Sequence, residues 1–226
     1  MRAKLRENAM AELHLVIANK AYSSWSMRPW VAMKAQGVPF KETVICLQQP
    51  DTAAEIAKYS AAGKVPVLKH GDITVWESLA ILDYLADNFP GHGWWPENPA
   101  ARAMARSISA EMHAGFTNVR SSMPMNVRRS IPGPARTDAI NGDIARIQAV
   151  WGAARKEFGA GGPFLFGKFS NADAMYAPVV TRFKTYGVTL DAVSQAYSDA
   201  VLASPAVKQW YADAAAESWV IEKYEL

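Results

Sequence analysis

The residues best placed for chemistry form two short clusters. The first is Tyr22-Ser23-Ser24-Trp25-Ser26, immediately ahead of an apolar run with helical spacing. Hydroxyls at such a junction can cap the first turn's free N–H groups. They can equally donate to an anion held by the positive end of the helix dipole. Arg28, one turn in, adds positive potential or anchors the fold through an ion pair; the sequence leaves both open. The second cluster is Gly63-Lys64-Val65-Pro66 followed by Glu77-Ser78. A proline opening a short strand is a natural place for a cis X-Pro bond that turns the backbone outward. That would free the N–H and C=O of Val65 to pair with an extended peptide added as a further strand. The plainer alternative is an ordinary strand-start proline. Ser78 opens a helix, where a serine serves as N-cap and also receives a carboxylate, two compatible roles.

Both clusters need a scaffold, and the hydrophobic pattern supplies one. Residues 13–18 form a short apolar run that reads as a buried strand. Residues 27–36 follow as a helix with Pro29 in its first turn and Gly37 as its stop. A strand over 40–47 and a short helix over 52–59 come next. Strands over 65–69 and 73–76 flank His70-Gly71-Asp72, a tight hairpin turn. From Ser78, the spacing of Leu79, Leu82, Leu85, Ala86 and Phe89 gives an amphipathic helix that ends at Pro90-Gly91. The order βαβαββα is that of a thioredoxin-like α/β domain. Residues 91–99, rich in Pro and Gly, form a linker, and beyond it the pattern is entirely helical. Helices are predicted over 100–123, 135–158, 171–186, 190–202 and 206–216. The fold class is therefore α/β plus all-α: a domain over 10–90, a linker over 91–99 and an all-helical domain over 100–226.

With this element order and these motifs, the chain from about Met10 resembles the cytosolic glutathione S-transferases. Tyr22-Ser23-Ser24-Trp25-Ser26-Met27-Arg28 most resembles their serine-type, zeta-like branch, with its Ser-Ser-Cys-x-x-Arg pattern. The resemblance implies glutathione as co-substrate and a homodimer with two independent sites. It implies that Val65, beside Pro66, grips the cysteinyl part of glutathione. Ser78 would take the γ-glutamyl carboxylate, Glu77 the amino group and Lys64 a carboxylate, with Gln49 a weaker member of the set. Register makes Ser23 the donor to the thiol, whose free pKa is about 8.5, with Ser24 and Tyr22 as alternatives. Arg28 joins Ser23 and Ser24 on the glutathione side. Tyr22, Trp25, Met112, Phe116 and Met123 would line a pocket for a small apolar electrophile. Helical core is the commoner fate of such methionines and phenylalanines. Trp25 stands where isomerising zeta-type enzymes carry cysteine, which argues against their isomerase reaction. The implied activity is thiol transfer to an electrophile. The alternatives are a non-catalytic glutathione and hydrophobic-ligand binder, a glutathione-dependent isomerase and a thiol–disulfide exchanger.

Composition narrows the rest. The net charge is only +3 and the densest basic stretch, residues 120–136, is broken by prolines, so nucleic acid is not an expected partner. Cys46 is the single cysteine, which removes disulfides, a Cys-based zinc site and Cys-x-x-Cys redox chemistry. His14, His70, His92 and His113 have no metal-ligand spacing, and no metal is expected. No apolar run approaches the roughly 20 residues that span a bilayer. The first residues lack a signal-peptide core, and Met10 is an alternative start that would leave Met1–Ala9 as an upstream extension. A cytoplasmic location follows. Ser170-Asn171-Ala172-Asp173 reads as a capping box and Trp94-Trp95 as a lock between the domains.

Overall fold

The computed structural model describes residues 11–133 and 136–225. The question of Met1–Ala9 and Met10, and the Ala135 start expected for one helix, lie outside the described residues. Four strands, β1 Leu13–Ala18, β2 Lys41–Ile45, β3 Val67–His70 and β4 Ile73–Trp76, form one sheet in the order β2-β1-β3-β4. β1 pairs parallel with β2 and antiparallel with β3, and β3 pairs antiparallel with β4. β1 is almost wholly buried, as a central strand covered on both faces must be. Gly71 turns the β3–β4 hairpin at φ 56°, a conformation glycine adopts without steric cost.

Helix α1 spans Ser24–Ala35 and starts three residues earlier than the sequence suggested. Ser23 is extended (φ −87°, ψ 91°) and its side chain accepts the N–H of Ser26, so the hydroxyl cap sets the start. Pro29 consequently lies inside the helix rather than in its first turn. α2 covers Thr52–Ala57 and α3 covers Ser78–Asn88. The N-cap position of α3 is Glu77, not Ser78. β3 begins at Val67, which leaves Val65 outside the ladder.

The second part is helical: α4 Pro99–Ala114, α5 Thr117–Ser122, α6 Asp138–Phe158, α7 Asn171–Thr185, α8 Ala192–Ala203 and α9 Pro205–Ala216. The single helix expected over 100–123 is broken at Gly115 and Phe116. Gly115 is extended, and a Cβ there would lie 2.8 Å from the Glu111 carbonyl oxygen. Phe116 turns left-handed at φ 55°. Arg120 Nη1 bridges the freed carbonyls of His113 and Gly115 at 3.2 and 3.0 Å. Residues 217–225, with a short 3₁₀ turn at Glu222–Tyr224, had no expected element. Among the described residues no helix is long and apolar enough to cross a membrane.

α7 is buried along nearly its whole length and packs on α1, α4 and α8. One apolar cluster runs from Leu15 and Trp30 through Ile81 to Trp151 and Tyr176, so sheet domain and helices share a core. The start of α7 ties them together. Asn171 donates its N–H to Trp94 O (2.7 Å) and its Nδ2 to Leu82 O (3.2 Å). Trp94 therefore locks linker to helix, while Trp95 is half-buried under Arg106. Asp173, fully buried, accepts from the N–H and hydroxyl of Ser170 (2.8 and 3.0 Å) and from Leu165 N–H (3.0 Å). Removing that carboxylate strands buried donors, at about 3 kcal/mol in total. For a chain of this size Asp173→Ala should melt about 8 °C below the wild type by calorimetry. An unchanged melting temperature would contradict this role.

Candidate active site

Two clefts meet at Trp25. The first, of about 210 Å³, is lined by Trp25, Lys64, Val65, Pro66, Trp76 and Glu77. The Val65–Pro66 bond is cis, and neither the N–H nor the C=O of Val65 has a partner among the described residues. Glu77 adopts φ 70°, ψ 128°, a conformation that costs a non-glycine residue roughly 1–3 kcal/mol and that clusters at ligand sites. No side chain caps α3, whose first backbone bond runs from Ile81 N–H to Glu77 O (3.0 Å). A strained turn and an uncapped helix N-terminus thus border the same cleft as the free edge of Val65.

Ser78 lies just behind it, fully buried, accepting from Arg28 Nη1 at 3.4 Å. Arg28 is itself buried and lines neither cleft. Its Nε donates to Met175 O (3.3 Å) and its guanidinium lies 4.1 Å from the centre of the Trp25 ring. It makes no ion pair among the described residues, so it holds Ser78 and Trp25 in place. Gln49 is exposed, with its N–H on Thr52 Oγ1 (2.9 Å), and does not line the cleft. The β2–α2 loop that carries it turns at Gln48, φ 65°.

The second cleft, of about 400 Å³, opens between the start of α1 and the helical layer. Tyr22, Ser23, Ser24 and Trp25 form one wall, and Thr117, Arg120, Arg182 and Tyr224 stand among those opposite. Ser23 Oγ lies 2.8 Å from Ser26 Oγ and also accepts Ser26 N–H (3.4 Å). Ser24 Oγ accepts from Arg182 Nη2 at 3.2 Å. Tyr22 lines the cleft, but its hydroxyl is committed elsewhere. It donates to Glu225 (2.5 Å) and accepts from Arg128 Nη2 (2.6 Å) and Ile221 N–H (3.3 Å). Burial and the Glu225 carboxylate push its pKa up, so Tyr22 clasps the C-terminal tail and does not serve a thiol.

Met112, Phe116 and Met123 are core, at 0, 7 and 1 % exposure, and line neither cleft. The expected apolar wall is instead cationic. Arg182 donates to Met123 O (2.8 Å) and Pro178 O (3.3 Å), and burial, helped by nearby Arg120, lowers its pKa to about 10. Burial also lowers the pKa of Arg120, and burial followed by Arg182 and Arg120 drives Arg28 well down. Trp25 lies between Arg28 and Arg120, whose guanidinium is 4.8 Å from its ring centre, with His113 edge-on at 5.2 Å. Burial and Arg28 hold His113 toward its neutral form, and Glu77, 3.8 Å away, opposes them. None of the three arginines has a carboxylate ion pair among the described residues. The sequence missed Arg120 and Arg182; the sole signal was an arginine inside the apolar run Pro178-Val179-Val180-Thr181-Arg182-Phe183.

A thioredoxin-like domain with an open backbone edge, completed by a helical layer that closes a second cleft, defines a two-domain protein of the glutathione-transferase type. Residues 22–88 match the family described as Glutathione S-transferase, N-terminal domain, and residues 137–213 match Glutathione S-transferase, C-terminal domain. The two matches together cover more than half of the chain, which belongs to the glutathione S-transferase family. It is similar to Protein IN2-1 of Zea mays, 26% identical over 73% of this chain and 63% of that protein. Glutathione S-transferase L1 of Arabidopsis thaliana is 24% identical over 72% of this chain and 63% of its own length. The matched segment thus spans less than two thirds of these relatives. Among solved structures, a Burkholderia glutathione transferase homolog with bound glutathione superposes with a TM-score of 0.68. It shares 21% identity and covers 91% of this chain and 100% of its own. That likeness shows the fold.

Losing the Tyr22 hydroxyl should free the tail without touching the first cleft. In Tyr22→Phe, amide exchange at Ile221 should be about tenfold faster, the equivalent of one hydrogen bond to a charged group. Unchanged exchange there would remove the clasp.

Proposed function

We propose that the chain is a glutathione S-transferase of the serine-type, zeta-like branch, acting on an electrophile that carries an anionic group. The observation that carries the reading is the unpartnered backbone of Val65 beside the uncapped N-terminus of α3. A cysteinyl residue pairs with that edge as an added strand. The γ-glutamyl carboxylate takes the α3 N–H groups with Ser78, Glu77 receives the amino group, and Lys64 a carboxylate. The thiol then points from the first cleft toward the second, where Ser23 donates to sulfur. A hydroxyl donor and three guanidiniums favour the thiolate, lowering its pKa from about 8.5. The thiol proton is released to solvent, and the thiolate's electron pair forms a carbon–sulfur bond. Either the leaving group departs with its bonding pair or, in conjugate addition, a proton adds to the carbon next to the one that bonds sulfur.

The electrophile end departs from the apolar pocket suggested by the sequence. Arg120 and Arg182 line that cleft without carboxylate partners, and such a site favours a carboxylate-bearing substrate over a neutral one. Trp25, wedged between two guanidiniums, occupies the position of the isomerases' cysteine, which disfavours the isomerase reading. The homodimer and the division at residues 91–99 are carried over from the family resemblance. A cytoplasmic location is supported by the single free cysteine, Cys46.

The test uses two nitroaryl chlorides alike except that one bears a carboxylate and the other its amide. After correction for uncatalysed rates, kcat/KM should favour the acid about tenfold, the scale of one charge-assisted hydrogen bond. Arg120→Leu should erase that preference, while Ser23→Ala should lower turnover of both about 100-fold. Full glutathione binding with unchanged turnover in Ser23→Ala would contradict Ser23 as the donor. Tight binding without turnover in the wild type would favour the ligand-binding alternative.

A further inference from the structure

We propose that Ser26 is a positioning residue whose hydroxyl donates to Ser23 Oγ and so turns the Ser23 proton out into the second cleft. The inference rests on the transferase reading above and concerns how its donor is aimed. Ser26 is fully buried, with 0 % of its surface exposed. Its oxygen accepts the N–H of Ala18, the last residue of β1, at 3.0 Å. Its own proton has one acceptor within reach among the described residues, Ser23 Oγ at 2.8 Å.

A hydroxyl has one proton and two lone pairs, and the hydrogen takes whichever direction satisfies the network. If Ser23 donated to Ser26, the Ser26 proton would be sealed in the interior without an acceptor, an arrangement native proteins avoid. The reverse direction satisfies every group. Ser23 Oγ then accepts from the Ser26 hydroxyl and from Ser26 N–H, which fills both lone pairs. Its remaining proton must point away from the helix. Ser23 is 9 % exposed and lines the second cleft, so that proton meets the space assigned to the sulfur. The chain Ala18 N–H, Ser26 O–H, Ser23 O–H runs one way, each donor polarising the next. Ser24 has no such relay. Its oxygen accepts from Arg182, and its proton is free to rotate.

The experiment is an ultraviolet titration of the thiolate of glutathione bound to the purified protein. Wild type, Ser26→Ala, Ser23→Ala, the double variant and Ser26→Thr are compared. Ser26→Ala should raise the bound thiol's pKa by roughly one unit, the scale of one lost hydrogen bond to a charged group. The Kd for glutathione should stay within about twofold, because the tripeptide is gripped at Val65 and α3. Ser23→Ala should raise the pKa at least as far, and the double variant should match Ser23→Ala alone, because Ser26 acts only through Ser23. Ser26→Thr, which keeps the hydroxyl, should restore the wild-type value. Should Ser26→Ala not fold, Ser26→Cys, with its weak donor, carries the same expectation. A wild-type pKa in Ser26→Ala, with Ser23→Ala raised, overturns the relay. So does an additive shift in the double variant, which would mark Ser26 as merely structural. A wild-type protein that binds no glutathione, or leaves its thiol unperturbed, fails earlier and overturns the transferase reading itself.

Discussion

The guanidinium of Arg28 is buried without a carboxylate, and three elements converge on it. It reaches Ser78 at the start of α3, Met175 O on α7 and the face of Trp25 at the start of α1. Burial drives its pKa down without removing its N–H donors, which need partners wherever they are sealed from water. The surrounding structure must therefore supply donors' partners, and it supplies a carbonyl, a hydroxyl and an aromatic face. Arg182 repeats the arrangement with two carbonyls and Ser24. Arg120 does so with the carbonyls freed by the α4–α5 break. Arg28 and Arg120 flank one indole and Arg182 lines the adjoining cleft, all three held by neutral partners, and together they leave a positive field that a bound anion would offset. Glutathione, with two carboxylates and one ammonium, is such an anion, and its binding would stabilise the folded chain by mass action.

That field also separates two jobs. The proposed function has the tripeptide held by backbone geometry, at the free edge of Val65 and the strained turn at Glu77. It leaves activation of the thiol to the hydroxyls and cations at the other side of Trp25. The indole touches both clefts and is contacted by a cation from each domain, Arg28 and Arg120. Trp25 thus acts as a rigid spacer that keeps two like charges apart.

Strands β1 and β4 and helix α3 were legible from local pattern alone, since alternation and helical spacing depend on few residues. So was the meeting of Val65-Pro66 with Glu77 at one cleft, because each belongs to a contiguous motif. What the chain's pattern hid depends on distant partners. The start of α1 was misplaced because Pro29 pulled it forward, whereas the Ser23 cap decides it. The α4–α5 break was hidden because apolar spacing continues through Gly115 and Phe116. Arg120 and Arg182 were overlooked because carbonyls far along the chain or at a broken helix end make their burial possible. Met112, Phe116 and Met123 were offered to the pocket, but α7 packs against that helical layer and closes them into the core. The tail over 217–225 is held by Tyr22, Asn126 and Arg128, roughly 90 to 200 residues away, which no local window can see.

The most direct measurement is a crystal structure of the protein with glutathione bound. The expected result has the cysteinyl N–H and C=O paired with Val65, and the sulfur about 3.2–3.6 Å from Ser23 Oγ, closer than to Ser24. A tripeptide that avoids the Val65 edge, or a sulfur that contacts Ser24 while Ser23 faces away, would contradict it.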